Sequence, residues 1–107
     1  MPVLSEAEGP DSPFDLLIRG GSVIDGAGSA VYGANVAIRD NRIAAIGTID
    51  GPAKRVIEAQ GLTVAPGFID VHAHDDGAVI RTPMDFKLMQ GVTTDIVGNC
   101  GAGIAPA

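Results

Sequence analysis

The sequence predicts an α/β chain in two parts: a small, strand-rich sheet over residues 14–65 and a β-α-β unit over residues 66–107. Two observations carry this. Between Phe14 and Ala65, short apolar runs alternate with turn residues at close spacing, the pattern of a small sheet or half-sandwich. After Pro66-Gly67 the pattern changes to an apolar strand, a helical segment and a second apolar strand joined by short links, which makes the two strands parallel.

The elements follow in order. Residues 1–13 mix proline, serine, glycine and acids without periodicity and are expected to form a flexible tail. Leu16-Leu17-Ile18 is a run stopped by Gly20-Gly21, and Val23-Ile24 is a run stopped by Asp25-Gly26. Asn35–Arg39 and Arg42–Ile46 flank Asp40-Asn41, two residues that tolerate the left-handed conformation of a tight hairpin turn. Lys54–Glu58 and Leu62–Ala65 read as two further strands around Gly61. Phe68–His74 is an apolar strand turning polar at its C-terminal end. A helix follows, with Thr82 as N-cap, Pro83 at its first position, Asp85 near its positive end and Gly91 as its stop. Met84, Leu88 and Met89 are expected to face inward. Val92–Val97 is the second buried strand.

Composition narrows the function. With 107 residues and 46% hydrophobic content the chain can form one small core. Its net charge of −6 and lack of any basic run argue against nucleic acid as a partner. No apolar stretch approaches the roughly 20 residues that span a bilayer, and the acidic start lacks a signal-like apolar segment. The single cysteine excludes an internal disulfide framework. A cytoplasmic location is the expectation.

The two histidines, His72 and His74, are two residues apart on a strand, so both imidazoles project to one face. They sit at the polar end of a buried parallel strand, where α/β folds keep their sites. Two neutral imidazoles there form half of a zinc site. Asp70 shares their face one step deeper, too far back to share the same ion comfortably, and suits a role in orienting them from behind or in packing the strand layer. Cys100 emerges at the same sheet edge; on spacing alone an inert, buried cysteine is the better reading. Asp75 and Asp76 could orient imidazoles or water, although adjacent acids beside a glycine are usually solvated.

Several of these segments resemble one family. Phe14–Gly21 with Val23–Gly26 is similar to the opening strands of the amidohydrolase superfamily. Ala65-Pro66-Gly67-Phe68-Ile69-Asp70-Val71-His72-Ala73-His74 resembles its first barrel strand, and Gln90-Gly91-Val92-Thr93-Thr94 its second. Asp75-Asp76 and Val97-Gly98-Asn99-Cys100-Gly101 narrow the resemblance to the D-aminoacylase (N-acyl-D-amino-acid deacylase) group. A hydantoinase- or dihydroorotase-like relative fits these two details less well.

That resemblance implies more than the spacing does. It makes this chain the N-terminal part of a (β/α)8 metal-dependent hydrolase barrel, about 250 residues when whole, preceded by an incomplete β-sandwich sheet. It implies one or two divalent ions, zinc by preference, with His72 and His74 at a weaker position and Cys100 at the tighter one. Asp70 and Asp75 would support the ligands. The implied reaction is amide hydrolysis in an N-acyl-D-amino acid. No catalytic residue is assigned here, since the general-base aspartate belongs to later strands. The chain by itself is expected to be inactive, a fragment with uncovered strand edges prone to self-association. The alternative is a non-catalytic, β-rich interaction module.

Overall fold

The computed structural model describes residues 3–6, 13–101 and 103. The chain divides into two compact units, the first ending at Pro66 and the second beginning at Gly67.

The first unit is a sheet of six strands: β1 (Val3–Glu6), β2 (Phe14–Val23), β3 (Tyr32–Arg39), β4 (Arg42–Gly47), β5 (Ala53–Glu58) and β6 (Thr63–Val64). Their order is β1-β5-β2-β3-β4, with β6 also pairing β2. Strand β2 is central. It runs antiparallel to β3 and parallel to β5 and β6.

Three features of this sheet bear on the sequence expectations. The hairpin forms where Asp40-Asn41 places it, and both residues take left-handed backbone angles, φ 52° and 61°. Leu16–Ile18 and Val23 belong to one strand rather than two. At Gly20, with φ 76°, one extra residue is absorbed as a bulge between Ile18 and Gly21, and the Gly20 N–H donates to Asn35 Oδ1 at 2.9 Å. A Gly-Gly pair reads as a stop, but here it lets a strand change its twist and continue. Beyond the bulge β2 exchanges its parallel neighbour β5 for β6, joined by Ser22 N–H to Leu62 O and Ile24 N–H to Val64 O.

The flexible tail expected over residues 1–13 is corrected in part. Val3–Glu6 pairs antiparallel with β5, whose outer edge offers backbone donors and acceptors that another strand can satisfy. Residues 1, 2 and 7–12 of that segment lie outside the described residues.

The core of the unit is a row of small apolar side chains across the sheet. Leu17 pairs with Ala37 on one side and Val56 on the other, and Ala37 pairs with Ala45. Leu17, Ala37, Ala53 and Val56 are buried, with Phe14, Ala45 and Ile49 packed against them. Alternation brings these residues to one face.

The second unit contains β7 (Phe68–Asp70), α1 (Asp76–Arg81), α2 (Asp85–Leu88) and β8 (Val92–Asp95). β7 and β8 are parallel, as expected of a β-α-β connection. The single helix predicted from Thr82 is corrected. Thr82 closes α1 instead: its N–H and hydroxyl both donate to Ala78 O. α2 starts only after Met84 and is one turn long. α1 itself was hidden because Asp75-Asp76-Gly77 reads as a loop. It is favoured by Asp76 in its first turn and Arg81 in its last, each complementing the helix dipole.

Gly91 does end the helical segment, with φ 87°, and a Cβ there would press on the Phe68 ring at 3.2 Å. The inward packing expected of α2 is only partial. Met84 is half-buried, but Leu88 and Met89 are exposed. Phe68, Ile69, Val71, Ile96 and Val97 are exposed as well, and Ala73 is the buried apolar residue of this unit among the described residues. Among the described residues no helix is long and apolar enough to cross a membrane.

One consequence for stability follows in the sheet. Asp15 Oδ2 accepts the N–H of Asp40 at 2.8 Å, and its Oδ1 lies 3.0 Å from Lys54 Nζ. The backbone donor first, then the ammonium, hold its carboxyl below the ordinary carboxylate range. A lowered folded pKa contributes stability that is complete above the unfolded value of about 3.9 and is lost as pH falls through the folded one. Asp15→Asn is therefore expected to flatten the acid side of the stability profile below about pH 4. Urea unfolding midpoints measured across that range check this; an unchanged acid limb would refute the assignment.

Candidate metal centre

The site is built where the two strands of the second unit end. The ladder between β7 and β8 continues past both, because Ile96 N–H donates to Asp70 O at 2.8 Å and Ala73 N–H donates to Ile96 O at 3.0 Å. These two bonds pin the backbone on either side of His72. His72 N–H also donates to Asp70 Oδ1 at 3.2 Å. Both histidines lie just beyond the strand rather than in it, since regular pairing stops at Asp70. Their rings still converge, edge to face, with centroids 5.2 Å apart.

Cys100 arrives from the other strand. Asn99 Nδ2 donates to Ile96 O at 3.0 Å and folds the loop after β8 into a tight turn. Cys100 then takes φ 60°, the left-handed region, unusual for a non-glycine residue and a common mark of functional loops. Its Sγ lies 3.6 Å from His72 Nε2. Donor atoms of His72, His74 and Cys100 all lie within 4.8 Å of one another, and all three residues are exposed. The buried cysteine suggested by spacing alone is not what is found: Cys100 is exposed.

The donor set fits a zinc-like ion. Zinc–sulfur and zinc–nitrogen bonds of about 2.3 and 2.0–2.1 Å at a tetrahedral angle put the two donors about 3.5 Å apart. The resemblance sets Cys100 at a different position from the histidines, but the separation between Cys100 and His72 is also that of two ligands able to share one ion.

Behind this group lies a second cluster. Lys87 Nζ contacts Asp70 Oδ2 at 2.9 Å, Asp95 Oδ1 at 3.0 Å, and the Asp75 carboxylate. The Lys87 side chain is only 19% exposed. The lysine ammonium, then the His72 N–H, hold Asp70 below its ordinary pKa. Asp75 is lowered chiefly by Lys87, and Lys87 is raised chiefly by Asp75 and Asp70. Asp75 sits at the N-cap of α1 but makes no capping bond, its carboxylate being engaged by Lys87. Asp76 stands in the first turn of α1, not in a solvated loop. Lys87 and Asp95 escape a sequence reading because an isolated lysine on a short helix and an acid closing a strand both resemble solvated surface. The spacing that could reveal them is their placement on the two elements flanking Gly91.

The comparisons agree on one family. Residues 55–106 match the amidohydrolase family. D-aminoacylase of Alcaligenes xylosoxydans xylosoxydans is 46% identical over 102 residues, covering 94% of this chain and 21% of that protein. N-acyl-D-glutamate deacylase of the same organism is 52% identical over 96 residues, covering 88% and 20%. Among solved structures, N-acyl-D-glutamate deacylase from Bordetella bronchiseptica, complexed with zinc and a phosphonate inhibitor, aligns with TM-score 0.83 and 49% identity, covering 88% of this chain and 20% of that one. A D-aminoacylase structure with a binuclear metal centre aligns with TM-score 0.84 and 45% identity, covering 89% and 20%.

The chain belongs to the amidohydrolase family. Within it the similarity is to D-aminoacylases and related N-acyl-D-amino-acid deacylases, of whose length the chain spans about a fifth.

If His72, His74 and Cys100 hold the ion together, zinc titration will separate wild type from the variants. The His72→Ala/His74→Ala double variant and Cys100→Ser are each expected to lose most of the affinity. Wild-type affinity itself should be weak, because three donors on an exposed surface do not complete a closed tetrahedral site. Superimposable titration curves would sink the assignment.

Proposed function

We propose that this chain provides the first metal-binding segment of a zinc-dependent amidohydrolase that cleaves N-acyl-D-amino acids. The observation that carries the reading is the convergence of His72, His74 and Cys100 at the ends of two parallel strands. Family membership supplies the reaction class, and the deacylase relatives supply the substrate class. In this reading β7 and β8 are the first two strands of a (β/α)8 barrel, and the six-stranded sheet is part of a β-sandwich beside it. The cytoplasm is the proposed location.

When bound, a divalent ion lowers the pKa of its water and polarises the acyl carbonyl. The chain's own residues set up that chemistry. His72 and His74 present their imidazoles from a segment whose Asp70 O and Ala73 N–H are both bonded to Ile96 of the neighbouring strand. Cys100 adds a sulfur donor, a soft ligand that favours zinc over magnesium or calcium. Asp70 fixes the backbone at His72, and Asp75 follows His74 directly. The proton-accepting aspartate and the groups that hold the substrate carboxylate are assigned to strands this chain does not contain.

A chimera tests the reading. Replacing the corresponding segment of the Alcaligenes D-aminoacylase with this chain is expected to give zinc-dependent hydrolysis of N-acetyl-D-methionine and not of the L-isomer. Activity should fall to background with Cys100→Ala in the chimera. The isolated 107-residue chain is expected to give no turnover. A folded, metal-replete chimera without activity would refute the reading, as would turnover by the isolated chain for the division of roles.

The exposed apolar residues of the second unit point to self-association of the isolated chain. Phe68, Ile69, Val71, Phe86, Leu88 and Met89 are each more than half exposed, and covering such a side chain is worth roughly 1.5–3 kcal/mol. Sedimentation is expected to show oligomers; a monomer with a sharp unfolding transition would favour the stand-alone interaction module.

A further inference from the structure

The lysine behind the metal centre touches each segment that carries a candidate ligand. Asp70 lies two residues before His72 and accepts its N–H. Asp75 directly follows His74. Asp95 ends β8, five residues before Cys100. All three carboxylates meet on one ammonium, Lys87 Nζ. It comes from α2, a single turn whose Met84 O accepts both the Lys87 and Leu88 N–H groups.

We infer that Lys87 is a positioning residue for the metal centre, locking the histidine loop and the cysteine strand at the spacing at which their donors can share an ion. The inference rests on reading His72, His74 and Cys100 as ligands. The physics is local. Carboxylate oxygens of Asp70, Asp75 and Asp95 lie within 4.8 Å of one another, close enough that three negative charges repel strongly where water is partly excluded. One ammonium, mostly buried and within hydrogen-bond reach of all three, turns that repulsion into a clamp. Without it the acids repel, and since Asp70 and Asp95 are held in the strand ladder the displacement falls on Asp75 and the histidine loop that it closes. The ammonium also occupies the point where three carboxylates would otherwise attract a hard cation such as calcium or magnesium. Lys87 therefore both holds the ligands and keeps a competing ion off their support.

The test is zinc affinity, by competition with a chromophoric chelator, together with the thiolate-to-metal charge-transfer absorption of the cobalt(II) form. Wild type, Lys87→Met, Lys87→Arg, Asp95→Asn and, as a control on the same turn, Phe86→Ala are compared on the 107-residue chain. Lys87→Met is expected to weaken zinc binding roughly 10–100-fold, the usual cost of losing a residue that supports ligands. Its cobalt band should change even at saturating metal, which a purely global loss of stability would not produce. Lys87→Arg should recover most of the affinity, and Phe86→Ala should match wild type. Wild-type affinity and spectrum in Lys87→Met would overturn the inference. Should Lys87→Met fail to fold, Asp95→Asn decides: unchanged zinc affinity there overturns it equally. The His72→Ala/His74→Ala variant separates the two levels. If it binds zinc like wild type, the ligand assignment fails and the inference with it; if it loses zinc while Lys87→Met does not, the inference alone fails.

Discussion

The parallel pairing of β7 with β8 is the constraint on which the candidate site depends. Two strands of a parallel pair end at the same edge, so whatever follows each of them is brought together without any contact of its own. Here the residues that follow are His-x-His on one strand and Asn-Cys-Gly on the other. The ladder does not stop where regular strand geometry stops. The bonds from Ile96 to Asp70 and from Ala73 to Ile96 carry it one residue past β8 and three past β7, and Asp70 and Ala73 bracket His72. The imidazole is placed by backbone hydrogen bonds on both sides, a more rigid arrangement than a histidine on a free loop would have. Cys100 needs a different device. A tight turn held by Asn99 and a left-handed backbone at the cysteine itself aim the thiol back toward the histidines.

The charges beneath the site follow from the same geometry. Parallel strands put Asp70 opposite Asp95 in register, and the turn into α1 adds Asp75. Three acids at one strand edge require a counter-charge, and the short connection through α2 delivers one. Lys87 meets that requirement with a single side chain from the segment that links the strands. The connection that makes the pairing parallel thus also neutralises the charge that the pairing concentrates.

Much of this was legible in the sequence, and the boundary is physical. Where a residue's backbone preference is strong and local, reading succeeds: Asp40-Asn41 gives the hairpin, Gly91 the helix stop, and the apolar runs around the helical segment the parallel pair. His72 and His74 were legible as a pair at the polar end of a strand, although the strand itself stops at Asp70 and bonds to Ile96 hold the backbone around His72. Where the outcome depends on a partner distant in sequence, reading fails. Gly20-Gly21 looks like a stop until the neighbouring strands are present to pair on both sides of a bulge. Asp75-Asp76 looks like a solvated loop until Lys87 takes up one carboxylate and the helix dipole favours the other. Cys100 was recognised only through resemblance, since composition cannot say which way a lone thiol points.

The two units also differ in how they are held. In the first, Leu17, Ala37 and Val56 lie in register across three strands and are shielded from water, so hydrophobic burial and the backbone ladder reinforce each other. In the second, the large apolar side chains are mostly exposed, and order comes from hydrogen bonds and the Lys87 ion cluster. Such polar contacts are directional and set positions well, but they contribute little net free energy where water reaches them. On the proposed ligand set, an ion held by residues from both strand ends would stabilise the folded form by its own binding free energy.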